Sequence, residues 1–212
     1  MGTVAEQDPE TPWYLLPLKA IRDLIPERFP LLRLAVPTQL FSLAIALIVV
    51  QVTRVKPSPI RCNLPFLRAL GLMVGLEIGL MALFLVLKLF VNEVKLPGYI
   101  ERLLTALKKT TPLELVVTCA SVGFVEEVAF RGVLLPLLGA VISSVLFGAA
   151  HRPRIAFHWF VLCTMGAVFA FELKISGGLL LPMVHHALHD LWALTLLYVV
   201  LRADPDGEVE LK

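Results

Sequence analysis

The chain has few charged residues for its length and few cysteines. Of its 212 residues, 17% are Asp, Glu, Lys or Arg, and a net charge of +2 is too small to indicate a nucleic-acid partner. Cys62, Cys119 and Cys163 have no paired spacing, so they predict neither a disulfide framework nor a metal knuckle. The patterns GxSG, GxGD and HExxH are absent, which argues against serine, aspartyl and zincin-type hydrolases.

Apolar residues dominate instead. They make up 58% of the chain, the mean hydropathy is +0.81, and apolar runs of about 20 residues recur. We therefore expect an integral membrane protein with an all-α, polytopic transmembrane bundle of about six membrane helices plus interfacial helices. The expected membrane helices cover residues 34–52, 67–91, 112–138, 140–150, 155–173 and 178–201.

The chain is expected to form a single domain with four consecutive parts. Residues 1–33 are an N-terminal interfacial segment, and residues 34–111 hold two spans and an amphipathic connecting helix with apolar residues at helical spacing. Residues 112–201 form a helical core that starts after Thr110-Thr111-Pro112, a typical helix start. Residues 202–212 are a polar tail.

Ionisable side chains occur in the most apolar half of the chain. Each costs roughly 2.5 to 3.5 kcal/mol near a bilayer centre, so such groups face one another or water. The pattern therefore predicts a polar site built within a membrane. The residues concerned are Glu126, Glu127, Arg131, His151, His185, His186 and Asp190.

Glu126 and Glu127 are neighbours on a predicted helix, so their side chains point about 100° apart and cannot face one cleft equally. Glu127 and Arg131 have the spacing that places a carboxylate beside a guanidinium, and an arginine in a membrane needs such a partner. We expect them to form a structural pair that leaves Glu126 free as a general base. In the alternative interpretation, both glutamates are purely structural, and they pair only with Arg131 and with a group on a neighbouring helix.

The last helix contains two overlapping pairs with a spacing of four residues. His186 is paired with Asp190, and His185 with His189, about 100° apart around the helix, so only one pair can face the cleft squarely. A carboxylate can hold an imidazole in one orientation, which favours His186 and Asp190. We expect His185 and His189 to face a neighbouring helix or the interface. His151 is a further candidate because the last helix supplies other histidines and a carboxylate for the same site.

Three motifs in this order resemble the CAAX protease and bacteriocin-processing family of intramembrane endopeptidases, also called CPBP or Abi. They are EEVAFR, FGAAH and HALHD, supported by Arg131-Gly132 and by Ser176-Gly177-Gly178 before the last helix. The resemblance covers residues 112–200 and makes 112–201 the expected catalytic core. In that family the corresponding residues activate water and stabilise the oxyanion. Carried over, the catalytic residues are Glu126, His151, His186 and Asp190.

The resemblance implies peptide-bond hydrolysis without an acyl-enzyme. Glu126, helped by His151, would take a proton from water, and His186 would donate to the oxyanion. An ionised Asp190 would repel an oxyanion, so we expect it to be protonated or to orient His186, and we favour orientation. Glu126, His151 and His186 could alternatively bind a metal, so the cofactor prediction is none or a divalent metal such as zinc, with the metal-free version favoured.

The expected partners are a peptide or lipidated-peptide substrate and membrane lipid, with no nucleic acid. The family resemblance leaves prenylated CaaX C-termini and a role in peptide-toxin processing or immunity equally open. Compact loops and the lack of an organelle signal favour a prokaryotic plasma membrane. The alternative function is that of a catalytically inactive membrane protein, which uses the same polar cluster to bind a partner or to relay protons.

Overall fold

The computed structural model describes residues 16–88, 98–153 and 156–203, and all the regular structure in these residues is helical. This confirms the all-α fold expected from the sequence. A π-helical segment, Val128–Leu134, interrupts the longest stretch, between α5 and α6. The α-helices are α1 (Leu16–Leu24), α2 (Pro30–Thr53), α3 (Phe66–Lys88), α4 (Gly98–Leu107), α5 (Pro112–Glu127), α6 (Leu135–Ala150), α7 (Ala156–Ser176) and α8 (Leu180–Ala203).

Within the described residues, four helical stretches are long and apolar enough to cross a membrane. They are Pro30–Thr53, Phe66–Leu87, Pro112–Ala150 and Ala156–Ser176. The expected number was about six. The third and fourth expected helices are joined in one 39-residue stretch, and α8, which carries three histidines and an aspartate, is not among the four.

The chain reverses direction at Gly139, inside the longest stretch. Gly139 has φ 81° and ψ 168°, a conformation that glycine adopts without strain. Beyond it, the Ser143 hydroxyl donates to the Phe130 carbonyl at 2.9 Å, although residues thirteen apart in a straight helix would be roughly 20 Å apart. The second half of α6 therefore folds back onto the π-helical segment. The sequence placed the boundary between the third and fourth helices at this glycine.

The loop between α2 and α3, residues 54–65, runs as an extended strap across the π-helical segment. The Ser58 hydroxyl donates to the Arg131 carbonyl at 3.1 Å, and the Ser58 amide donates to the Gly132 carbonyl at 2.9 Å. Where a π-helix joins an α-helix, the shift in backbone hydrogen bonding leaves a carbonyl without its usual amide partner, and donors from elsewhere can satisfy it. The strap thus stabilises the segment that carries Arg131.

The same strap contacts the turn between α7 and α8. The Leu179 amide donates to the Pro59 carbonyl at 2.9 Å, and a Cβ at Gly178 would collide with the Arg61 and Pro59 carbonyls. Gly177 has φ 72°, which a side chain would disfavour. Glycines at 177 and 178 are therefore required for the approach of the strap to the start of α8.

Glu114 connects the first membrane helix to α5. Its Oε1 accepts hydrogen bonds from the amides of Leu31 and Leu32 at 2.8 and 3.1 Å and so caps the start of α2. The expected helix start is also found, because the Thr111 side chain caps α5 through the Glu114 amide and Pro112 follows in the first turn.

Two short helices lie where interfacial segments were expected. α4 matches the predicted amphipathic helix, and its Leu107 is fully buried in a cluster with Leu31 and Leu115. α1 lies in the expected N-terminal segment, whose Trp13 and Tyr14 fall outside the described residues, as do residues 204–212 of the expected polar tail. Their placement at a membrane interface stays a prediction.

Candidate active site

Four predicted residues come together where α5, the end of α6 and α8 meet. Glu126 Oε2 lies 3.8 Å from His151 Nε2 and 4.0 Å from His186 Nε2. Asp190 Oδ2 lies 3.7 Å from the same nitrogen of His186. The side chains of Glu126, His151 and Asp190 are 21–27% exposed, whereas that of His186 is 4% exposed. The site is therefore open on one side and closed behind His186.

Glu126 Oε2 is buried and has no hydrogen-bond partner among the described groups. Burying a carboxylate oxygen without a hydrogen-bond partner costs free energy. Such an atom is usually found where water or a ligand binds. The Nε2 atoms of His151 and His186 approach it to 3.8 and 4.0 Å, and both lie beyond hydrogen-bond distance. Oε2 of Glu126 is therefore left without a partner between these two nitrogens.

His186 is held by Glu127. Glu127 Oε1 lies 2.9 Å from His186 Nδ1, which is a hydrogen bond, whereas Asp190 approaches the other ring nitrogen only to 3.7 Å. The hydrogen bond that orients His186 thus comes from Glu127, and a contribution of Asp190 to that orientation stays a prediction. Glu126 and Glu127 are also less separate than their positions on the helix predicted, because the two carboxylates approach opposite nitrogens of one imidazole ring.

Glu127 and Arg131 form the expected buried pair. The same Oε1 atom lies 2.9 Å from Arg131 Nη1, and both side chains are fully buried. Arg131 also donates to the Gly166 carbonyl at 3.2 Å. Three phenylalanine rings surround the guanidinium, with the Phe147 centroid at 4.3 Å and the Phe169 centroid at 5.2 Å. Arg131 therefore fixes the carboxylate that holds His186.

His151 has a defined orientation at the end of α6. Its Nδ1 lies 2.8 Å from the Phe147 carbonyl, which can only accept, so Nδ1 carries the proton. In the neutral ring, Nε2 then has a free lone pair that faces Glu126. His151 also packs against the Phe147 ring, with centroids 4.8 Å apart. The ring is thus prepared to accept a hydrogen bond within the site.

A close approach of α5 to α8 brings the glutamates to the histidines. A Cβ at Gly123 would lie 2.7 Å from the Ala187 amide nitrogen and 2.9 Å from the Met183 carbonyl. Small residues let helix backbones approach in this way, as they commonly do in membrane bundles. Gly123 lies one turn before Glu126 and Glu127, and Ala187 directly follows His186. The two helices therefore cross at the site itself.

The predicted metal ligands do not have the spacing of a zinc site. Ligand atoms bonded to tetrahedral zinc at roughly 2.0–2.2 Å lie roughly 3.3–3.6 Å apart. The Glu126 carboxylate lies 3.8 and 4.0 Å from the two histidine nitrogens. Among the described residues, no group of three or more His, Cys, Asp or Glu side chains is arranged to hold a metal ion. The residue types suit zinc, and the two separations are a few tenths of an ångström wider than tetrahedral zinc would require.

A second polar cluster was not expected from the sequence. His185 and His189 do face a neighbouring helix, as expected, and Glu77 of α3 contacts both of them. Glu172 of α7 contacts the other nitrogen of His185. The signal was present in the sequence, because Glu77 is the single carboxylate in the middle of α3 and Glu172 is the single carboxylate of α7, near its end.

These features define the class of the molecule as a helical integral membrane protein with a glutamate and histidine site. Residues 108–192 match the family model described as type II CAAX prenyl endopeptidase Rce1-like. The match includes Glu126, His151, His186 and Asp190, confirms the resemblance to the CAAX protease family, and supports an endopeptidase of the CAAX type. It covers less than half of the 212-residue chain. No curated protein and no solved structure matches this chain.

Proposed function

We propose that this protein is an intramembrane endopeptidase in which Glu126 activates a water molecule to hydrolyse a peptide bond. The observation that carries this proposal is the buried, unpartnered Oε2 atom of Glu126 between His151 Nε2 and His186 Nε2. Two groups that each bind one water at about 2.8 Å lie roughly 4.6 Å apart when the angle between them at the water is tetrahedral. The separations of 3.8 and 4.0 Å are shorter, so a water held here would bind its two partners at an angle narrower than tetrahedral.

The water is held by two acceptors. Glu126 Oε2 accepts one water proton, and the free lone pair of His151 Nε2 accepts the other, because His151 Nδ1 donates to the Phe147 carbonyl. A water whose two protons are engaged presents its lone pair to the substrate. This arrangement orients the nucleophile before the substrate carbonyl arrives.

In the chemical step, the Glu126 carboxylate removes one proton while the water oxygen forms a bond to the scissile carbonyl carbon. The carbonyl oxygen becomes an oxyanion. When the tetrahedral intermediate collapses, the carbon–nitrogen bond breaks, and Glu126 returns its proton to the leaving amine. The products are a carboxylic acid and an amine, and no bond to the enzyme is formed.

His186 Nε2 is placed to donate to the oxyanion. Glu127 is ionised against Arg131 and accepts from His186 Nδ1, so Nε2 donates only when the ring is an imidazolium. The carboxylates of Glu126 and Asp190, at 4.0 and 3.7 Å, favour that charge. We assign to Asp190 this electrostatic role, and no step requires a metal.

The proposed substrates are membrane-associated peptides with a prenylated CaaX C-terminus, as the description of the matching family suggests. Apolar lipid would reach a site between helices more readily than a soluble peptide would. The proposed setting remains the prokaryotic plasma membrane, which is an inference from the sequence alone.

Peptide profiling tests the proposal. Purified parent protein and Glu126→Gln are incubated separately with a peptide library that contains farnesylated and unfarnesylated members, and the products are identified by mass spectrometry. We expect products only with the parent, with cleavage after the farnesylated cysteine. The same products at the same rate from Glu126→Gln would overturn the assignment of the base. No products from the parent would favour the non-catalytic alternative.

A further inference from the structure

A second cluster of ionisable side chains lies on a different face of α8 from the proposed active site. His185 Nδ1 lies 2.7 Å from Glu172 Oε1 on α7, and His185 Nε2 lies 3.1 Å from Glu77 Oε2 on α3. The Glu77 carboxylate also lies 3.0 Å from His189 Nδ1 and accepts from Trp192 Nε1 at 2.7 Å. The cluster therefore connects three helices through one imidazole and one carboxylate.

His185 is clamped at both ring nitrogens. A neutral imidazole donates from only one nitrogen, and an ionised carboxylate can only accept. Both contacts are therefore hydrogen bonds only when the cluster holds an additional proton, either on His185 or on one of the glutamates. His185 and Glu172 are almost completely buried, and Glu172 Oε2 has no other partner among the described groups. The ring cannot turn without leaving a buried carboxylate unpaired, which is costly.

Glu77 is the main polar anchor of α3. Among the α3 residues whose side chains the structure describes, only Leu80 is buried, and Phe84 packs beside it in an apolar cluster. The partners of Glu77, namely His185, His189 and Trp192, follow one another along one stripe of α8. A single carboxylate thus contacts two turns of α8.

Phe169 couples the cluster to the active site. Its ring packs edge-on against His185, with centroids 5.5 Å apart, and stacks on His186, with centroids 4.8 Å apart and planes 18° apart. Phe169 is fully buried, so it cannot move independently of these rings. His185 and His186 are also neighbours in the chain. The rotation of α8 about its axis that fixes the direction of one side chain therefore fixes the direction of the other.

We infer that Glu77, Glu172 and His185 act together as a positioning device for His186. This inference rests on the proposed function, since it concerns the same histidine. The clamp fixes the rotation of α8 about its axis, so that His186 Nε2 faces Glu126 while Glu127 holds Nδ1. Glu77 and Glu172 both contact His185, and they act on His186 through α8. Small displacements matter here, because a misplacement of about 1 Å can cost roughly a hundredfold in rate.

Substitutions of Glu77 test the inference, because this residue is partly exposed and its loss is better tolerated than that of Glu172. Glu77→Leu removes the anchor, whereas Glu77→Gln keeps an oxygen that accepts from Trp192. The rate is measured with a peptide that ends in a farnesylated CaaX sequence. For Glu77→Leu we expect a decrease in kcat of about tenfold or more with KM within about twofold of the parent value, and for Glu77→Gln a substantial recovery of kcat.

Glu114→Leu is the matched control. Glu114 is also a buried glutamate, but it caps α2 and has no contact with the site. All rates are measured well below the unfolding temperature of each variant. A loss of kcat in Glu114→Leu equal to that in Glu77→Leu would mean that stability alone explains the effect, and the inference would be wrong. Parent-like kcat in Glu77→Leu would overturn it as well.

A milder variant covers the case in which Glu77→Leu does not fold. Trp192→Phe removes only the indole hydrogen bond to Glu77, and we expect a smaller decrease in kcat with KM unchanged. Parent-like kcat would again contradict the inference. Glu126→Gln is measured in the same series. If it cleaves as fast as the parent, the proposed function is wrong. If it is inactive while Glu77→Leu is fully active, only the positioning role is wrong.

Discussion

Glu127 Oε1 lies 2.9 Å from His186 Nδ1 and, at the same time, 2.9 Å from Arg131 Nη1. One carboxylate oxygen therefore satisfies a buried cation and orients the imidazole that faces Glu126. This arrangement explains why two adjacent glutamates are needed at the end of α5. Glu127 neutralises Arg131 and holds His186, whereas Oε2 of Glu126 has no hydrogen-bond partner and is available for the proposed role as general base.

Arg131→Leu should destabilise the protein strongly. The change leaves Glu127 as a buried carboxylate without its cation, and breaking such a pair costs roughly 3–5 kcal/mol. The midpoint of unfolding in detergent is the measurement. In the double variant Glu127→Gln/Arg131→Leu, the loss should be smaller than the sum of the two single losses, because no charge is left unpaired. Additive losses would show that the two side chains are not coupled.

Gly123→Ala should reduce activity by separating α5 from α8. The new methyl group would lie 2.7 Å from the Ala187 nitrogen, so the helices must move apart close to Glu127 and His186. We expect a loss of about tenfold or more in kcat/KM, together with a lower unfolding temperature. Gly75→Ala is the control, because a Cβ at Gly75 meets no atom within 4 Å. Equal behaviour of the two variants would contradict the proposed helix crossing.

Chelators should not affect the rate. The separations of 3.8 and 4.0 Å between Glu126 and the two histidines are wider than those of zinc ligands, and the proposed step uses a water held by Glu126 and His151. Cleavage is measured before and after treatment with 1,10-phenanthroline, and then after addition of zinc. Inactivation by the chelator with recovery on addition of zinc would refute water activation by Glu126 alone.

Much of the fold followed from the sequence because membrane helices are marked by long apolar runs. The runs predicted an all-helical membrane protein, and the break at Gly139 was placed correctly. The π-helical segment was not predicted, because Val128–Leu134 has the composition of an ordinary apolar helix. Its carbonyls are satisfied by Ser58 and Ser143, which are far from it in sequence.

The site was predicted less completely than the fold. Spacing along one helix was enough to pair Glu127 with Arg131, and the structure confirms that pair. The same rule paired His186 with Asp190, but the hydrogen bond to His186 comes from Glu127 on another helix. Local spacing does not report how two helices cross, and the crossing depends on the close approach at Gly123. The clamp around His185 was missed for the same reason.

The most direct measurement of the central claim is the kcat of Glu126→Gln on a farnesylated CaaX peptide. The substitution preserves the size of the side chain and its capacity for hydrogen bonding, but it removes the group that takes the proton from water. A general base contributes roughly 10²–10⁴-fold to the rate, so we expect a loss of at least about a hundredfold with an unchanged unfolding temperature. A kcat equal to that of the parent protein would contradict the account.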